Sequence, residues 1–159
     1  MDFLDNHEKT PYETEPVENS LDAMRAFARA FDKLLNILPI ELDFFAEELK
    51  LAMYKPVYLE FAPDEPPISL YEVGLTHSPH KSVAGRYSIH EGKLADAMER
   101  RPEEVRALLI QEESGVLPRL CTILEEFRDA EREEYLQKDV FTALMRFLNE
   151  CRRLGVMWE

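Results

Sequence analysis

Ser20-Leu21-Asp22-Ala23-Met24-Arg25-Ala26-Phe27-Ala28-Arg29-Ala30-Phe31-Asp32-Lys33-Leu34-Leu35-Asn36-Ile37-Leu38 is the stretch on which the fold turns. Leu21, Met24, Phe27, Ala28, Phe31, Leu34, Leu35 and Leu38 recur at three- and four-residue intervals, which places them on one face of a helix. Asn19-Ser20 supplies an N-cap signal at its start. Pro39 lacks a backbone donor and crowds the preceding turn, so the helix must break or kink there. Ile40, Leu42, Phe44, Phe45, Leu49 and Ala52 then resume the apolar pattern in a second helix to about Tyr54.

Upstream, residues 1–19 carry His7, Lys9, Pro11 and Pro16 among acidic residues without sustained periodicity, and read as a flexible N-terminal arm. Downstream, Pro56, Pro63, Pro66 and Pro67 mark residues 55–67 as a Pro-rich surface segment in which Val57 to Phe61 alternates weakly. Ile68 to Val73 predicts a turn of helix stopped by Gly74, and Thr76 to Ala84 predicts a loop. Gly85 to His90 has the alternation of a short strand. Helical patterning returns at Lys93 to Met98, and again from Pro102, whose fixed φ suits a first helical position, with Glu103 and Glu104 favouring that helix's dipole. Ser114 predicts the cap of a helix carrying Val116, Leu117, Leu120, Cys121, Leu124 and Phe127. The stretch from Glu125 to Glu134 is almost wholly charged. Leu136, Val140, Phe141, Leu144, Phe147, Leu148, Cys151 and Leu154 outline a last amphipathic helix with Gly155 as its stop. The expected fold is mainly α: a bundle of about five to six helices with a small β element near residues 85–90, residues 20–159 forming a single helical domain.

Thirty-two acidic against 19 basic residues leave a net charge of −13, which repels phosphate backbones and anionic lipid surfaces and so argues against nucleic acid and membrane as partners. No apolar run approaches the roughly 20 residues of a spanning helix, and Met1 to Asp5 has neither the basic flank nor the apolar stretch of a secretory signal. A cytoplasmic location is the expectation, with export through a dedicated apparatus left open. Cys121 and Cys151 fall on apolar helical stripes, where a reduced thiol behaves as a small hydrophobe; whether they pair depends on how the two helices meet.

Three histidines, His77, His80 and His90, lie close in sequence, but their spacing fits no zinc pattern and no cysteine is near, so no metal site is expected. The acidic pairs Glu47-Glu48, Glu103-Glu104, Glu112-Glu113, Glu125-Glu126 and Glu133-Glu134 sit on polar helix faces, where adjacent carboxylates diverge. Phosphate-binding loops, nucleophile elbows and HExxH are missing, and only five glycines occur. No catalytic residue and no cofactor is therefore assigned, and the chain reads as a binding protein. Phe141, Leu144, Phe147 and Leu148, with Met157 and Trp158 at the end of the chain, form a broad apolar surface in a charged region. Lacking an internal partner, that surface would bind another protein or a second copy.

One series has a family resemblance. Ile68-Ser69-Leu70-Tyr71-Glu72-Val73-Gly74-Leu75, then Gly85 to Leu94, then Ala97, Arg101 to Val105 and Leu108-Leu109, resembles the C-terminal conserved region of the bacterial flagellar filament-cap protein, a hook-associated protein. Leu21 to Leu38 and Ser114 to Leu120 are similar to helices that flank this series in the family. The chain departs from the pattern in lacking the N-terminal conserved helix and the large inserted domains, and in having His90 where an acidic residue is usual. It resembles a shortened relative. The resemblance implies a flagellar-assembly module, an adaptor or co-chaperone, that contacts flagellin-type subunits, the cap and hook junction or their export chaperone. A self-associating structural subunit and a helical adaptor unrelated to flagella are the alternatives; a small-molecule site between Ile68 and His90 is disfavoured because no polar constellation converges there.

Overall fold

The computed structural model describes residues 12–77, 87–131 and 137–159. Among them are six α-helices and one two-stranded antiparallel ribbon, so the mainly α expectation with a small β element holds. Helix α1, Ser20–Ile37, begins where the Asp22 N–H donates to Asn19 Oδ1 at 2.9 Å. It ends because Leu38, forced out of the α region by the following Pro39, is extended. A 3-10 turn, Ile40–Leu42, leads into α2, Asp43–Tyr54.

The Pro-rich segment lies at the surface but is anchored from within. Val57 and Leu59 alternate inward and are buried with Ile68, and an antiparallel bridge joins Val57 to Ile68. Proline removes donors but leaves alternate side chains free to pack, so the segment runs over the surface, its prolines mostly exposed, while Val57 and Leu59 anchor it to the core. A second 3-10 turn, Leu70–Val73, closes on Gly74, whose φ of +102° is open to glycine alone at little cost. A Cβ there would also meet the His90 carbonyl oxygen at 2.8 Å.

Strand β1, Leu75–His77, pairs with β2, Tyr87–Ile89, Leu75 facing Ile89. The loop expected from Thr76 thus starts as a strand. Three residues carry too little pattern to announce themselves; they extend because β2 supplies hydrogen bonds. Gly85 and Arg86, expected in the second strand, and the loop through Ala84 fall in the stretch 78–86, outside the described residues.

Helix α3, Glu91–Arg100, is capped by the His90 ring, Nδ1 accepting from the Lys93 N–H at 3.0 Å. Helix α4, Pro102–Ile110, starts on its proline. Helix α5, Val116–Glu131, follows Gly115, where any Cβ would stand 2.7 Å from the Gln111 nitrogen. Ser114 is not a free cap as expected: its hydroxyl accepts from Gln111 Nε2 at 2.7 Å, and the Gln111 carbonyl takes the Gly115 N–H. Helix α6 runs Lys138–Trp158, through Gly155 and not up to it. Val156, Met157 and Trp158 prolong the helix beyond a glycine that packs against Leu117 of α5.

Helix α6 is the hub. It packs against α1 on one side and α5 on the other, with α4 touching both α5 and α6, α2 lying outside α5, and α3 beside α4. Phe147 meets Phe27 and Phe31 at ring separations of 5.6 and 5.4 Å, and Phe45 of α2 stacks on Phe127 of α5 at 3.8 Å. One contiguous core results, running from Ala23 to Leu154.

The N-terminal arm is a correction from Tyr12 onward; residues 1–11 lie outside the described residues. Tyr12 sets its ring edge-on to Phe141 at 5.9 Å, and its carbonyl accepts from Asn149 Nδ2 at 3.0 Å. The Glu15 N–H donates to Glu150 Oε2 at 3.0 Å, Arg153 donates to the Glu15 carbonyl, and the Glu15 carboxylate holds Arg29 at 2.7 Å. Glu150 is almost fully buried, and a buried carboxylate without partners is costly, so the strap across α6 and α1 supplies what the helices do not. Burial pushes the Glu150 carboxyl up from its ordinary range, against the opposing pull of the Glu15 N–H and Arg153.

Candidate functional site

Helix α6 does not offer the surface expected of it. Leu144, Phe147 and Leu148 have no exposure, and Phe141 is half-buried beneath Tyr12. Trp158 is half-buried against the core, and its carbonyl accepts from Arg106 Nε at 3.0 Å. Only Met157, at 39%, stays at the surface, beside exposed Val156. The expectation required a helix without internal partners, and α1 and α5 cover this one.

A different face is uncovered. Ile40, Phe44 and Leu51 are 77, 63 and 71% exposed. Seven residues make nearly two helical turns, so Phe44 and Leu51 fall on the same line of α2, and Ile40 precedes Phe44 by about one turn. Their inward neighbours Phe45, Leu49, Ala52 and Met53 are buried against α5 and the turn at Leu70–Val73. Helix α2 is therefore apolar on two sides and has neighbours on one.

The surroundings of this line are acidic. Glu41, Asp43, Glu47 and Glu48 are exposed around it, and of the cations on α2 only Lys50 is present, already 3.3 Å from Glu47. At the Leu51 end the line drops into a groove of about 380 Å³ between α2 and α5, walled by Glu48, Ala52, Lys55, Thr122 and Ile123. Arg119 lies in that groove, one arm donating to the Lys55 carbonyl at 2.9 Å while its buried Nε finds no acceptor among the described residues. Burial pulls the Arg119 guanidinium down from its ordinary value. Beneath the opposite end, Phe127 stands under both Phe45 and Phe44, the latter at a ring separation of 6.5 Å. The sequence signal for this site was the adjacent pair Phe44-Phe45, since neighbours 100° apart on a helix widen its apolar face beyond what a single neighbouring helix covers.

Among the described residues no three His, Cys, Asp or Glu side chains gather as metal ligands would. His90 serves as a helix cap; His80 and the His77 side chain lie outside the described residues. The acidic pairs on described residues are exposed or lie on separate faces, except where an arginine takes one member, as Arg152 takes Glu125 at 2.6 Å. No helix among the described residues is long and apolar enough to cross a membrane. Comparison with protein-family models, with curated proteins and with solved structures finds no match to this chain in any of the three.

Proposed function

We propose that the chain is a protein-binding module, acting by docking and not by catalysis, and that the outer face of α2 receives an amphipathic helix of a partner with lysines or arginines along its flanks. The observation that carries this reading is the exposed line Ile40, Phe44 and Leu51. Covering each such side chain is worth about 1.5–3 kcal/mol, and an apolar line at helical spacing is matched by the apolar stripe of another helix. The exposed carboxylates beside it select for basic flanks. They also oppose a second copy of this chain, since each copy brings a charge of −13.

Two synthetic helices with the same apolar stripe, one flanked by lysines and one by glutamates, test the proposal by fluorescence anisotropy. The basic helix binds, weakens as salt is raised, and loses at least tenfold in affinity with the F44S/L51S variant; equal binding of both peptides, or none, overturns the reading. Light scattering distinguishes the self-associating alternative, which requires oligomers that the same double substitution dissolves.

The flagellar context rests on the ordered series from Ile68 to Leu109. On that resemblance we propose as partner a flagellin-type subunit, the cap and hook junction or their export chaperone. Calorimetry against those proteins checks it: binding to none of them, while the basic helix still binds, discards the context and keeps the docking face.

A further inference from the structure

Helices α5 and α6 pack antiparallel, Gly155 lying against Leu117, where a Cβ on the glycine would sit 3.7 Å from Leu117 Cδ1. One turn along each helix from that point, between the Gly155–Leu117 contact and the Arg152–Glu125 ion pair, stand Cys121 and Cys151 on the facing sides of α5 and α6. Arg152 reaches Glu125 at 2.6 Å at the next turn of α5.

The two thiols differ in setting. Cys121 is half-buried and Cys151 is fully buried, and both are free. The hydrogen bond from Cys151 pulls the Cys121 thiol below its ordinary value, helped by Arg152 and opposed by burial and Glu125. Burial pushes the Cys151 thiol well up, with Cys121 and Glu150 acting in the same direction and Arg152 against. An accessible thiol that ionises more readily therefore lies in contact with a shielded one that keeps its proton.

We propose that Cys121 and Cys151 form an oxidation site at which a hydroperoxide produces an intramolecular disulfide, stapling α5 to α6. The Cys121 thiolate attacks one peroxide oxygen and breaks the O–O bond, giving a sulfenic acid, while the departing oxygen takes up a proton as water or alcohol. The Cys151 sulfur then attacks the Cys121 sulfur. The S–S bond forms, the S–O bond breaks, and the Cys151 proton leaves with the hydroxyl as water. Two electrons pass from the thiols to the peroxide. The staple lies in the helix that carries Phe127, the ring supporting α2.

The test treats the folded chain with one equivalent of hydrogen peroxide, then alkylates it under denaturing conditions and maps the peptides. The expected result is the joint loss of both thiols, a linked Cys121–Cys151 peptide lighter by two hydrogens, and full recovery with a thiol reductant. Dimedone added at early times traps a sulfenic acid on Cys121, and in the C151A variant that adduct accumulates. The proposal is overturned if Cys151 remains fully alkylatable while Cys121 is oxidised further or links chain to chain. The wild-type time course decides this without the variant.

Discussion

Helices α6 and α2 carry similar apolar content and meet opposite fates. Helix α6 has α1 on one side and α5 on the other, so a wide apolar band disappears completely at Leu144, Phe147 and Leu148. Helix α2 lies at the edge of the bundle with α5 beneath it, so the same width leaves Ile40, Phe44 and Leu51 in solvent. The number of neighbours, and not the hydrophobicity of a helix, decides whether an apolar face is core or contact surface.

The largest effect that can break this comparison is at Phe147, between Phe27 and Phe31. Phe147→Ala removes the ring joining α1 to α6 and is expected to cost about 3–5 kcal/mol in a urea titration; a cost below about 1 kcal/mol would show that α6 is not the hub. Next comes Glu150, where the two states differ in proton affinity. Its folded-state value is raised, so its contribution is fully present below the ordinary carboxylate value and is lost as pH rises through the folded one. Denaturation midpoints of the wild type should therefore decline relative to Glu150→Gln between pH 4 and pH 7, and parallel curves would refute the burial effect. Gly155→Ala comes third. The new methyl finds ordinary contact with Leu117 at 3.7 Å within a helix, and the expected gain is about 0.4–1 kcal/mol in thermal stability. Phe44→Ser should move stability least, by no more than about 0.5 kcal/mol, while it weakens partner binding; a larger loss of stability would make Phe44 a core residue after all.

Much of the fold was legible because backbone chemistry enforces it. Pro39 ends α1 through the residue before it, Gly74 takes a conformation barred to other residues, and Pro102 opens α4. What stayed hidden was pairing. An amphipathic stripe tells that a face will be covered and not by which element, so the α6 stripe read as a docking surface when α1, some hundred residues earlier, was its complement. Strand β1 was missed for the same reason, its extension being imposed by Tyr87–Ile89. Gly155 read as a stop because glycine is frequent past helix ends, yet here the helix runs through it to Trp158. The α2 surface was half-visible: Phe44 and Phe45 were both noted as apolar, but their divergence around the helix was not weighed against a single neighbour.

The strap and α1 both close onto α6, with Glu15 meeting Glu150 across 135 positions of the chain. A contact of that span pays its loop-closure entropy before it is rewarded. During synthesis α1 is made with Met24, Phe27, Phe31 and Leu34 lacking a partner, and it waits for the roughly hundred residues that separate it from α6. A nascent chain therefore carries α1 as a sticky helix until α6 has been made, the kind of segment that general chaperones shelter, and the bundle closes only when α6 arrives.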